Sequence, residues 1–157
     1  DPATDKRLRA CINAAIGRAQ LSRISDILRM RAENFKQMKE GLSGIQDVVI
    51  LDSNRDISSN SHYCLSMVLG GVFGDRRDEI VGRLKEAGIG TSIYYPQPVP
   101  RLAYYRKKYG YDAGLYPEAE KISDKSIALP VGPHLHTDDI KTIIETVRSV
   151  LKGVKQI

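Results

Sequence analysis

Residues 1–42, "DPATDKRLRACINAAIGRAQLSRISDILRMRAENFKQMKEGL", read as a single long helix. Leu21, Ile24, Leu28, Phe35, Met38 and Leu42 recur at spacings of three, four or seven, which lays one apolar stripe along it. Arg31 falls on the same stripe, so the seam is locally polar or the face rotates there. Upstream, Ala14, Ala15, Gly17 and Ala19 make a smooth surface that another backbone can approach closely. Gly41 and Gly44 supply the stop signal. A helix of about 40 residues is about 60 Å long. That exceeds the diameter of a globule built from 157 residues, so part of the helix is expected to project toward another domain or subunit.

The remainder alternates between the two periodicities. "DVVILD" (47–52), "YCLSMVL" (63–69) and "IGTSIYY" (89–95) read as strands, and "IALPV" (127–131) as a short extended piece. Between them, "NRDISSNSH" is a polar loop and Gly70, Gly71 and Gly74 punctuate. Asp75 is the expected cap of a helix from Arg76 to Ala87, closed by Gly88. Residues 101–108 and 117–125 read as short helices, and Thr137 as the cap of the last one, with Ile140, Ile143, Ile144, Val147, Val150 and Leu151 on its core face. The order predicts an α+β fold: a small antiparallel or mixed sheet of three to four strands, backed by helices and preceded by the long N-terminal helix. Two units follow, a linking or interface helix at 1–44 and a small α+β domain at 45–157.

Composition narrows the function classes. The chain carries a net charge of +5 and a pI near 9.2, which favours anionic partners. No apolar run approaches the roughly 20 residues of a membrane span, and no secretion signal is visible. The two cysteines, Cys11 and Cys64, have neither metal-ligand nor disulfide-framework spacing, so a reducing, cytoplasmic setting is expected. His134 and His136 beside Asp138 and Asp139 have ligand-like chemistry. The two carboxylates are nonetheless accounted for as helix-start residues and His62 is remote, so no metal is expected.

The richest stretch is "YYPQPVPRLAYYRKKYGY", where Arg101, Arg106, Lys107 and Lys108 interleave with Tyr104, Tyr105, Tyr109 and Tyr111. Basic residues with aromatic platforms suit single-stranded nucleic acid. They equally suit a phosphorylated small ligand, or a solvated basic face over a tyrosine-filled seam. Composition alone leaves these open.

Three segments then break the tie. "INAAIGRAQLSRISDILRMRAENFKQM", "RRDEIVGRLKEAGIGTSIYYPQPVPRLAYY" and "YPEAEKISDKSIALPVGPHLHTDDI" resemble, in family order, the long helix, the "GI…HYxP" segment and the C-terminal segment of DegT/DnrJ/StrS sugar aminotransferases. The resemblance implies the aspartate-aminotransferase fold and pyridoxal phosphate as cofactor. It implies amino transfer, usually from glutamate, onto a nucleotide-linked keto-sugar, in a homodimer joined through the long helix. Such proteins run to more than twice this length, so the chain is expected to be their C-terminal small domain with its entry helix. The cofactor-binding lysine lies in their large domain and has no counterpart here; the 157 residues alone are therefore expected to be inactive. The competing reading is a basic nucleic-acid-binding or dimerisation module without catalysis.

Residue by residue, the resemblance carries over with departures. The family's Asn-x-Arg-x-x-Glu before the "AAIG" falls on Lys6, Leu8 and Cys11. Lys6 can still meet the cofactor phosphate as a point charge, as can Arg7 with a small register change. The family's "HYxP" histidine is Tyr94, whereas Tyr95 and Pro96 match. Tyr94, Tyr95 and Arg101 are accordingly the expected substrate-side residues.

Overall fold

The computed structural model of the chain describes residues 2–52 and 60–156. Most of the polar loop expected at 54–62 lies outside these residues.

The long N-terminal segment is two helices, α1 (Pro2–Leu21) and α2 (Ile24–Leu42). At the junction the Ser22 hydroxyl donates back to the Ala19 carbonyl at 2.9 Å. The Arg23 N–H meanwhile donates to Gln20 rather than to a carbonyl one residue earlier. The turn therefore tightens, the usual result when a serine hydroxyl competes for helix carbonyls. All residues from Asp5 to Asp26 are exposed, so α1 extends away from the core. The expected stripe is buried only in its second half, at Phe35, Met38 and Leu42; Leu21 and Ile24 face solvent.

Three strands follow: β1 (Val48–Ile50), β2 (Cys64–Leu69) and β3 (Ser126–Pro130), in the order β1-β2-β3 with both pairings antiparallel. The register sets Leu65 opposite Leu129 and Met67 opposite Ile127. These four side chains share one face and are fully buried. That face joins a single core with Phe35, Met38 and Leu42 of α2, Ile80 and Leu84 of α4 (Arg77–Glu86), and Ile140, Ile143, Val147, Leu151 and Val154 of α7 (Thr137–Lys155). A short α3 (Gly71–Gly74) occupies the stretch expected to be mere punctuation. The α+β architecture with a three-stranded antiparallel sheet matches the expectation.

The α2–α7 seam shows why its residues are what they are. A Cβ built on Gly41 would run into the Ile144 side chain, so the two helices meet at a glycine. Arg148 of α7 then donates from Nε to the Gly41 carbonyl at 2.7 Å and from Nη2 to the Ser43 carbonyl at 3.0 Å. The last carbonyls of α2 are satisfied by a cation, favourable at that end of a helix dipole.

Three local expectations are corrected. Residues 89–95 form no strand, only one antiparallel bridge between Ser92 and Ala128, because Pro96 and Pro98 follow at once and lack the N–H groups a ladder needs. The residue flanking the start of α4 is Arg76 rather than Asp75, which instead faces Lys125 at 3.4 Å. The α7 cap is His136 rather than Thr137: the His136 N–H donates to the Asp139 carboxylate at 2.7 Å, the return half of a capping box. Among the described residues no helix is long and apolar enough to cross a membrane.

Candidate functional site

The strap after α4 builds one wall of a large cavity. Ile89 sinks into the core, and Ser92 exchanges two backbone hydrogen bonds with Ala128, of 3.1 and 2.8 Å. The chain leaves the sheet edge at Tyr94 and Tyr95, bending at Tyr94 and again at Pro96 and Gln97. The buried Ser123 hydroxyl of α6 (Pro117–Lys125) donates to the Tyr95 carbonyl at 2.6 Å and ties the strap down. Tyr94, Tyr95, the Pro96–Pro100 run, Leu102 and the Ala119–Ile122 side of α6 then line a cavity of about 920 Å³. Such a volume accommodates a ligand of nucleotide size.

Arg101 ends a 3₁₀ turn (Val99–Arg101) that leads into α5 (Ala103–Tyr109). Its guanidinium takes Asp124 through both prongs and also reaches Glu120 at 3.1 Å. The fork hydrogen bonds hold the Asp124 carboxyl below its ordinary range. The Gly114 N–H, then Arg101, do the same for Glu120. The same contacts push the Arg101 pKa up. Arg101 thus sutures the strap to α6 and lines a second cavity of about 380 Å³ with Arg106, Tyr111 and Asp112.

The basic tyrosine cluster is organised around itself. Tyr105 stacks on Tyr109 and Tyr109 on Tyr111, with centroids 6.1 and 5.5 Å apart. The Lys108 ammonium sits 5.6 and 5.2 Å over the Tyr104 and Tyr109 rings. The aromatic faces that a nucleic acid would stack on are therefore partly occupied by neighbouring rings and by this ammonium, although Tyr104 and Tyr109 remain exposed.

Of the expected site residues, Tyr94 and Tyr95 share the 920 Å³ cavity and Arg101 lies next to it. Lys6 and Arg7 stand on exposed α1 and line neither cavity. His134 packs on Gly132, where an added Cβ would come within 2.5 Å of its ring. Sequence reasoning passed over Ser123, Glu120 and Asp124. The four-residue spacing of Glu120 and Asp124 on one helix face was the available signal for an arginine clamp. It also missed a small cavity behind Tyr94, bounded by Arg31 and Tyr63.

Residues 3–148 match the model of the DegT/DnrJ/EryC1/StrS aminotransferase family. The chain is 30% identical over 143 residues to the spore coat polysaccharide biosynthesis protein SpsC of Bacillus subtilis, covering 90% of this chain and 36% of that protein. It is also 30% identical over 144 residues to the dTDP-3-amino-3,4,6-trideoxy-alpha-D-glucose transaminase of Micromonospora megalomicea, covering 91% and 37%. Among solved structures, the PLP-form of the putative sugar aminotransferase Spr1654 from Streptococcus pneumoniae superposes with a TM-score of 0.78 at 28% identity, covering 90% of this chain and 35% of that one. The chain thus spans little more than a third of the length of these relatives. With the match running nearly end to end over a helix-backed three-stranded sheet, the chain belongs to the DegT/DnrJ/EryC1/StrS aminotransferase family.

Proposed function

We propose that this chain forms the C-terminal lobe of a pyridoxal-phosphate-dependent aminotransferase acting on a nucleotide-linked keto-sugar in amino-sugar biosynthesis. The observation that carries the reading is the Tyr94–Tyr95 wall of the 920 Å³ cavity, standing within a fold matched by the family across residues 3–148. The names of two relatives, a dTDP-amino-sugar transaminase and a polysaccharide biosynthesis protein, support the substrate class.

In this reading residues 45–157 are the small domain and residues 1–44, with α1 and α2, the linking segment. The cofactor, when bound, supplies the electron sink for amino transfer. Lys6 and Arg7 are exposed on α1 and make no ion pair among the described residues. They fit a phosphate by charge and would hold that end of the cofactor across a homodimer. Leu8, Ile12 and Ile16 recur every fourth residue on α1, all at least half exposed, and form the dimer face. Tyr94 and Tyr95 present hydroxyls and ring faces to the sugar nucleotide, and the proline run excludes water along one side. Arg101 acts as a positioning residue, keeping the wall in place through Asp124. The lobe by itself holds no complete catalytic centre in this reading, and it works in a setting such as the cytoplasm where Cys11 and Cys64 stay reduced.

The test is a chimera in which this chain replaces the matching C-terminal third of SpsC. It should bind pyridoxal phosphate, seen by absorbance, and transfer an amino group from glutamate to a nucleotide-linked keto-sugar. A chimera that carries the cofactor yet aminates no such sugar overturns the reading.

A further inference from the structure

A second, smaller cavity of about 260 Å³ lies behind the strap, bounded by Arg31, Tyr63, Ser92, Tyr94, Gly132 and His134. Its unusual member is Arg31, which sits on the buried stripe of α2, one turn before the core residue Phe35. Its Nε is out of solvent with no hydrogen-bond partner among the described residues, and its guanidinium carbon lies 5.6 Å from the Tyr63 ring centroid. A half-buried guanidinium without an anion is costly to keep, because desolvation is uncompensated. No carboxylate lines the cavity among the described residues. Tyr63 and Tyr94 both line it, their rings tilted by 59° with centroids 6.0 Å apart.

The walls are fixed. Buried Asn34, three residues on from Arg31 and on the adjoining face of the same helix, donates to the carbonyls of Gly132 at 3.0 Å and Leu135 at 3.2 Å. One helix therefore sets both the guanidinium and the opposite loop of the cavity. Ser92 and Ala128 close the floor through their paired backbone bonds.

We propose that this cavity is a binding site for the carboxylate of a small organic acid, with Arg31 as its counter-ion and the Tyr63 and Tyr94 hydroxyls as further donors. Guanidinium to carboxylate is a planar match, and hydrogen bonds to a charged partner are the strong ones. One arginine balances one negative charge. A phosphate carries about 1.5 to 2 near neutral pH and would remain undercompensated here. Gly90, Ala128 and Pro130 give the cavity an apolar lining suited to a short carbon chain. The site shares Tyr94 with the wall of the larger cavity, whereas Arg31, Tyr63, Gly132 and His134 line only this one of the two.

The experiment is an amide-shift titration of the 157-residue chain with glutamate, 2-oxoglutarate and inorganic phosphate, each alone and in competition. The carboxylates should shift the amides of Arg31, Gly132 and Tyr94 saturably, and phosphate should not displace them at equal concentration. Arg31→Met keeps the stem on the apolar stripe and should weaken binding at least about tenfold. Arg31→Lys, which keeps the charge and loses the fork, should fall between the two. If Arg31→Met fails to fold by circular dichroism, Tyr63→Phe and Tyr94→Phe serve in its place, each removing a hydroxyl and expected to weaken binding several-fold. The proposal is overturned by no saturable shift up to about 50 mM ligand, by unchanged affinity in these variants, or by phosphate binding more tightly than either carboxylate.

Discussion

Arg101 holds Asp124 through both guanidinium nitrogens, Nη1 to Oδ1 at 2.6 Å and Nη2 to Oδ2 at 2.8 Å. The bond links the 3₁₀ turn of the strap to α6 across 23 residues of sequence. The cavity wall at Tyr94–Pro100 is therefore fastened twice to the same helix, once by this fork and once by Ser123.

The fork makes the strap sensitive to acid. Asp124 and Glu120 lie below their ordinary values of 3.8 and 4.5, so their contribution is complete above about pH 4.5 and is lost as pH falls through the depressed folded values. Tyrosine near-ultraviolet circular dichroism should report the strap loosening below that point. Arg101→Met should show the loosened signal already at neutral pH, whereas an unchanged acid profile in this variant would contradict the assignment.

Asn34→Ala should destabilise the fold by about 1–3 kcal/mol, since two carbonyls of the 132–135 loop lose their buried donor. Urea denaturation measures this. A loss under about 0.5 kcal/mol would mean that water replaces the amide without cost.

At Gly41 a methyl group has nowhere to go against Ile144. Gly41→Ala should therefore cost about 1–3 kcal/mol by overpacking, despite alanine's better helix propensity. The double variant with Ile144→Val should recover part of the loss. Equal effects in single and double variants would show that the seam is not the cause.

Leu65→Ala opens a void between sheet and helices at a fully buried position, and about 2–5 kcal/mol of stability should disappear. Val49→Ala, on the exposed face of the neighbouring strand, should stay within about 0.5 kcal/mol by the same thermal or urea measurement.

Much of this architecture was legible in the residues. The α7 face of Ile140, Ile143, Val147 and Leu151 and the α2 run of Phe35, Met38 and Leu42 appear where their spacing put them. Tyr94 and Tyr95 were singled out through family resemblance rather than composition, and both line the larger cavity. The break at Ser22–Arg23 was not visible, because no glycine or proline marks it and the turn there tightens as one hydroxyl returns to one carbonyl. Residues 89–95 alternate like a strand but have a single bridging partner, and pairing is a tertiary property that periodicity does not encode. Arg31 stood out on its stripe from the start; what it faces depended on the Tyr63 and Gly132 backbones arriving from distant sequence.

The break at Ser22–Arg23 makes the solvent-facing α1 a potential lever arm. Twenty helical residues reach about 30 Å, so a tilt of 10 degrees about that elbow sweeps the far tip through an arc of about 5 Å. The position of any surface that meets the tip of α1 therefore depends on the angle at that elbow.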